Sequence, residues 1–174
     1  SRLTEAAGTK LDKVTMVNLS KLVRERTSRY KKTFLDDKHK AQFKLMVDQD
    51  LMVECNEHYI TQLLDNLISN ADKYGENSLI KISLRRMNSI MVEFKITDHG
   101  IGIPKEELSD IFKSFTTSSK TRTSAGGRGL GLALCQKVID AHQGKILAES
   151  DNENGTTFLF VIPIHYHYKA LWLK

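Results

Sequence analysis

Asn56-Glu-His-Tyr-Ile60-Thr-Gln-Leu63-Leu64-Asp-Asn66-Leu67-Ile68-Ser-Asn70-Ala71-Asp-Lys73-Tyr74-Gly75 carries two patterns on one run of chain. Ile60, Leu63, Leu64, Leu67, Ile68 and Ala71 recur every three or four residues, which is one apolar stripe of a helix. Asn56 stands where an N-cap belongs and Gly75 where a helix stops. Asn66, Asn70 and Lys73 fall along one side of the same helix, with Tyr74 just beyond. Carboxamide oxygens are hard, neutral ligands suited to Mg²⁺, which keeps several waters and binds phosphates through few protein contacts. A lysine one turn on can meet those phosphates. Two asparagines lying on the surface of a helix fit the same pattern, so the run needs support from elsewhere.

Upstream, residues 3–11 suit the tail of a longer helix, and Asn18 offers an N-cap to a second helix. Leu19, Leu22, Val23 and Tyr30 recur at helical spacing there, through a Lys/Arg-rich face, to about His39. Phe43, Leu45 and Val47 alternate with Lys44, Met46 and Asp48 as in a half-buried strand, and a short strand over 51–54 follows. Downstream, β-rich runs at 79–86 and 90–97 flank Met87-Asn88-Ser89 and predict a hairpin that Asp98 ends. A short helix from Pro104 and another through Ile111 to Phe115 come next, then a polar loop over 116–127, long enough to be a lid. A helix from Gly129 to Ala141 turns Leu130, Leu134, Val138 and Ala141 inward, and strands at 145–150 and 156–164 flank a turn at Asn154-Gly155. The arrangement is α+β, a mixed sheet with helices on one face.

The 174 residues are the usual length of one domain with a real core. Cys55 and Cys135 stand far apart, in neither a disulfide framework nor metal-like spacing, which fits a reducing cytosolic setting. No apolar stretch approaches the length of a membrane span. The net charge of +5 suits any anionic partner, but Lys and Arg are scattered. With Trp172 as the one tryptophan and no aromatic-basic interleaving, nucleic acid is not expected as a ligand.

Two more constellations join the helix. Asp98-His99-Gly100-Ile101-Gly102-Ile103-Pro104 lies where a strand ends and the chain turns sharply, and its glycines let backbone approach a flat ring. A carboxylate there can accept from an exocyclic amine such as adenine's, a contact that guanine's carbonyl cannot make. Gly126-Gly127-Arg128-Gly129-Leu130-Gly131-Leu132 joins the loop to a helix start, where free N–H groups favour phosphate. A dinucleotide fingerprint fails because no strand immediately precedes it, and a Walker A loop fails for want of Gly-Lys-Ser/Thr.

These pieces, in this order and with Asn154-Gly155-Thr156-Thr157-Phe158 on the last strand, resemble the N, G1, F, G2 and G3 boxes of the sensor histidine kinase catalytic domain, over about residues 50–163. The resemblance implies the Bergerat fold shared with the gyrase, Hsp90 and MutL ATPases: a two-layer α/β sandwich whose mixed, mostly antiparallel sheet is covered by helices on one face. It implies that Asn70 coordinates Mg²⁺ with Asn66 supporting it, that Lys73 meets phosphate, and that Tyr74 packs on adenine. Asp98 would hold the adenine amine, with Gly100, Gly102 and Ile103 shaping the base pocket and Thr157 supporting the base. Gly127, Arg128, Gly129, Leu130, Gly131 and Leu132 would wrap the triphosphate of ATP. Phe112 and Phe115 fit the F box, and Lys113, Lys120 and Arg122 are lid cations within reach of phosphate.

His99 stands where the family usually has asparagine. No His-Glu/Asp-x-x-Thr/Asn-Pro segment occurs, so the phospho-accepting histidine is expected outside this chain. The resemblance makes residues 1–13 the end of a dimerisation and histidine-phosphotransfer helix with its linker, and 14–174 the catalytic domain. The implied whole is a homodimeric inner-membrane sensor with this domain in the cytoplasm, passing phosphate to a cognate response regulator. The same boxes would also serve a plain ATPase, an anti-sigma serine kinase or a non-catalytic nucleotide-sensing module.

Overall fold

A computed structural model describes residues 11–36, 39, 41–113, 128–151 and 154–167, with backbone alone at 128–130. The strands in chain order are β1 (Thr15–Asn18), β2 (Gln42–Val47), β3 (Met52–Cys55), β4 (Leu79–Arg86), β5 (Met91–Thr97), β6 (Lys145–Ser150) and β7 (Thr156–Pro163). The helices are α1 (Leu19–Phe34), α2 (Glu57–Tyr74) and α3 (Arg128–Ala141), with a 3-10 turn at Lys105–Asp110.

Short turns join β4 to β5 and β6 to β7, so these pairs run antiparallel, as does β5 with β7. β2 reaches β4 only after a crossover through β3 and α2, and that pair is parallel. The result is a five-stranded sheet in the order β2-β4-β5-β7-β6, the mixed, mostly antiparallel sheet expected. Alternation then sorts its faces. Ile80, Ile82 and Leu84, then Val92, Phe94 and Ile96, then Phe158, Phe160 and Ile162 all point to the helix-covered side and are buried. Phe94 and Phe160 are register partners whose rings stack at 4.9 Å.

α2 lays Ile60, Leu63, Leu64, Leu67 and Ile68 on that face, and α3 adds Cys135, Val138 and Ile139, all without solvent contact. Each such aliphatic side chain contributes about 1.5 to 3 kcal/mol of burial. Both predicted caps form: the Asn18 carboxamide accepts from the Lys21 N–H and that of Asn56 from the Tyr59 N–H, each at 3.0 Å.

Several boundaries move. α1 stops at Phe34 rather than near His39, because Leu35 turns extended and the Asp36 carboxylate takes the His39 N–H at 2.8 Å, a local bond that competes with the helix. β1 was not anticipated; it pairs antiparallel with β3, Met16 opposite Glu54. Leu11, expected in the linker, is 1% exposed and its N–H donates to the Tyr166 hydroxyl at 2.7 Å. The segment after Pro104 is a 3-10 turn, and Ile111 and Phe112 follow it in a turn rather than a second helix. Phe115, the loop at 116–127, the tail of the preceding helix up to residue 10 and the end of the chain from Tyr168 lie outside the described residues.

Candidate functional site

The site begins where the ladder between β5 and β7 runs one step past the strand end. The Asp98 N–H donates to the Thr156 carbonyl at 2.9 Å, and the Thr156 N–H returns the bond at 3.3 Å. The Asp98 carboxylate bends back to accept the Gly100 N–H at 2.9 Å. Asp98 is 4% exposed. Burial pushes its carboxyl up to about 6, although the N–H groups of Gly100 and Thr156 favour the charged form. An acceptor held this way is aimed before any ligand arrives.

Two glycines make that geometry possible. Gly155 has φ +98°, and a Cβ there would fall inside the contact distance of the Asp98 carbonyl. At Gly100 a Cβ would run into the carbonyl oxygen of Tyr74, so the turn after β5 abuts the end of α2, and the Ile101 N–H donates to that same oxygen at 3.2 Å. Gly102 turns the chain at φ +70°. Ile103 then donates its N–H to the Ser150 hydroxyl, which donates to the Gly155 carbonyl, closing the turn onto β6 at 2.8 and 2.7 Å.

The α2 residues divide. Asn70 is buried, and none of the hydrogen bonds among the described residues uses its carboxamide. Lys73 is exposed, and Tyr74 is half-buried with its hydroxyl inside. Asn66 lies instead against α3, next to Gly131 and hydrogen-bonded to the Cys135 thiol. That contact draws the first turn of α3, with Arg128, Gly129 and Leu130, towards the polar side of α2, while Leu132 is buried in the core. Asn66 thus spends its amide on the helix contact, whereas Asn70 remains suited to a cation. Gly127 and the lid cations Lys120 and Arg122 lie outside the described residues. Lys113 pairs with Asp110 at 2.7 Å on the surface, and Phe112 packs edge-on against Phe158.

Thr157 and its neighbour Thr156 fall on opposite faces of β7. The Thr157 hydroxyl meets that of Thr97 at 2.9 Å on the outer side of the sheet, because Thr97 and Thr157 are register partners one residue out of phase with Asp98. Thr156 shares the inner face with Phe158 and Phe160, is 6% exposed, and stands beside Asp98. The signal was in the sequence: Thr156, Phe158, Phe160 and Ile162 have one parity. His99 is exposed; its N–H donates to the Ser78 hydroxyl and its ring nitrogen bonds the Leu79 carbonyl, so it closes the turn rather than facing the pocket. A depression of about 340 Å³ opens at the ends of β5, β6 and β7, but Glu149 and Asp151 in its wall oppose phosphate.

The family model described as histidine kinase-, DNA gyrase B- and HSP90-like ATPase matches residues 55–166. Among curated proteins, the chain is 36% identical over 140 residues to the sensor histidine kinase WalK of Bacillus subtilis (strain 168), covering 78% of this chain and 23% of that one. It spans about a quarter of the length of the curated relatives it matches. Among solved structures, the nucleotide-free catalytic domain of histidine kinase ThkA matches with a TM-score of 0.76 at 35% identity, over 88% of this chain and 97% of that one. ThkA in complex with response regulator protein TrrA matches with a TM-score of 0.71 at 36% identity, over 87% of this chain and 42% of that one.

Proposed function

The chain belongs to the family of histidine kinase-, DNA gyrase B- and HSP90-like ATPases, as an ATP-binding catalytic domain of the sensor histidine kinase kind, and from that premise we propose that it delivers the γ-phosphate of Mg-ATP to a histidine on a dimerisation domain of the same protein. The observation that carries this reading is the buried Asp98 carboxylate, fixed by main-chain bonds where β5 ends, beside Gly75 at the end of α2.

Asp98 in its charged form accepts from the adenine amine and turns away guanine, whose carbonyl would face it. Tyr74 and the Gly100–Gly102 turn wall the base. Lys73 and the free N–H groups of the first turn of α3 meet the phosphates. Asn70 fits a Mg²⁺ ion, being a buried neutral oxygen donor outside the hydrogen bonds of the described residues. Bound Mg²⁺ supplies charge neutralisation at the phosphates. Everything the chain itself does is positioning: it holds the base, fixes the phosphates and orients the γ-phosphate for in-line attack.

None of the six histidines lies in a His-Glu/Asp-x-x-Thr/Asn-Pro segment, which supports an acceptor elsewhere in the protein. His142, moreover, is buried and held neutral, its pKa pushed down to about 4 by burial. The parent is a homodimeric sensor kinase that passes phosphate to a response regulator, as the ThkA–TrrA complex suggests by likeness. This domain sits on the cytoplasmic side of an inner membrane. Labelled ATP supplied to the full-length parent should yield acid-labile phosphohistidine, and this chain alone should yield none. A parent that binds ATP but never acquires label is a nucleotide-sensing module instead.

A further inference from the structure

α2 has one side facing the nucleotide and another tethered to α1. Asn66, Asn70 and Lys73 share the first; Asp65 and Asp72, two turns apart, share the second. Arg26 grips Asp65 through two bonds of 2.8 Å. One turn further along α1, Tyr30 donates its hydroxyl to Asp72. His39, just beyond α1, bonds the other carboxylate oxygen of Asp72 at 2.6 Å. The Asp72 side chain is 1% exposed. A carboxylate this deep persists only with partners that satisfy it, and Tyr30 and His39 both come from one short stretch of chain. Tyr30 is itself set by the rings of Phe34 and Phe43, at 4.8 and 6.2 Å.

The clasp closes on the last turn of α2, two residues after Asn70 and immediately before Lys73 and Tyr74. The chain leaves that turn through Gly75 at φ −84° and Glu76 at φ 54°, the left-handed conformation that commonly follows a helix end. That local closure fixes where α2 stops but not how its last turn sits against α1, and the Tyr30–Asp72–His39 cluster is the tie on the side away from the nucleotide.

We propose that Asp72, held by Tyr30 and His39, is a positioning residue for the phosphate end of the site, fixing Asn70 and Lys73 without touching ligand. The inference rests on the nucleotide reading above. With the clasp opened, the last turn of α2 loses its register against α1, while Asp98, held by main-chain bonds from β7 and its own turn, keeps its place. The two ends of the site thus respond separately.

The test compares ATP affinity in the presence of Mg²⁺ and in EDTA, by calorimetry on the 174-residue chain, for wild type and Tyr30→Phe. Removing a hydrogen bond to a charged group should shrink the Mg²⁺-dependent gain about tenfold, with affinity in EDTA unchanged. Asp98→Asn should do the reverse, lowering both affinities and sparing their ratio. His39→Gln, which still donates to Asp72, should keep most of the gain. An intact gain in Tyr30→Phe overturns the proposal, and so does a fall of both affinities in step with the melting midpoint, the mark of general loosening. A wild type that binds ATP equally with and without Mg²⁺ overturns it too. A wild type that binds no ATP at all sinks the nucleotide reading itself, and that result needs no variant to recognise.

Discussion

At the adenine end of the site, Asp98 is held by main-chain bonds to Gly100 and Thr156; at the phosphate end, Asn70 and Lys73 ride on a helix whose place is set by side chains, Arg26 on Asp65 and Tyr30 with His39 on Asp72. A backbone-held end fails when a Cβ is forced into it, because no rotamer can retreat. A side-chain-held end loosens by degrees. On the proposed reading, base specificity would rest on the backbone-held end and phosphate contact on the side-chain-held one.

The harshest way to break this comparison is Gly155→Ala. A positive φ and a Cβ against the Asp98 carbonyl together should cost about 3 kcal/mol in chemical denaturation and abolish nucleotide binding. A cost below about 1 kcal/mol, ordinary for a surface change, would show that the adenine end is not backbone-held after all.

Asp98→Asn sharpens it in the opposite direction. The folded carboxyl titrates at about 6 against an ordinary 3.8, so between those values the folded state holds more protons than the unfolded one. Stability contributed by the neutral acid is present below about pH 4 and lost as pH rises through about 6, a span worth about 3 kcal/mol. Without nucleotide, the asparagine variant, which has no buried carboxyl to ionise, should then be more stable than wild type at pH 7.5 by about 2 kcal/mol, the loss of a charged acceptor by the Gly100 N–H offsetting part of that span. Melting from pH 4 to 7.5 checks this through the difference between the two proteins, because buried His142, pushed down to about 4, stabilises both alike as pH rises: the variant should gain on wild type across the series. A variant less stable than wild type at pH 7.5 would mean that the site stores no such strain.

Smaller effects belong to the phosphate end. Tyr30→Phe should cost the Mg²⁺-dependent part of ATP affinity about tenfold, as above. Arg26→Leu removes a tie whose Asp65 side chain is 43% exposed, and should lower stability by only about 0.5 to 1 kcal/mol in urea denaturation. A larger loss at Arg26 than at Tyr30 would place the main strut at the middle of α2.

The same contrast explains what could be read from the chain. The adenine end is written in local motifs, because a strand end, two glycines and an aspartate act within a few residues of one another. α2 was legible from periodicity and caps. The parity that separates Thr156 from Thr157 is fixed by Phe158 and Phe160, but only once β7 is seen as half-buried. β1 escaped because four residues offer too little alternation to separate from a linker, and its pairing with β3 spans a whole helix. The Asp72 clasp was invisible for a related reason: an aspartate followed by a lysine looks like a solvated helix surface until Tyr30 and His39, from far upstream, are laid over it.

The most direct measurement is thermal unfolding of this chain with Mg-ATP and with Mg-GTP, in wild type and Asp98→Asn. At about one hundred times the dissociation constant, Mg-ATP should stabilise wild type by about 2.7 kcal/mol, a midpoint rise of about 5 to 11 °C, while GTP gives no rise and Asp98→Asn shows a much smaller response to the same ATP concentration. Equal rises with both nucleotides, or none at saturating ATP, would contradict an adenine site built on Asp98.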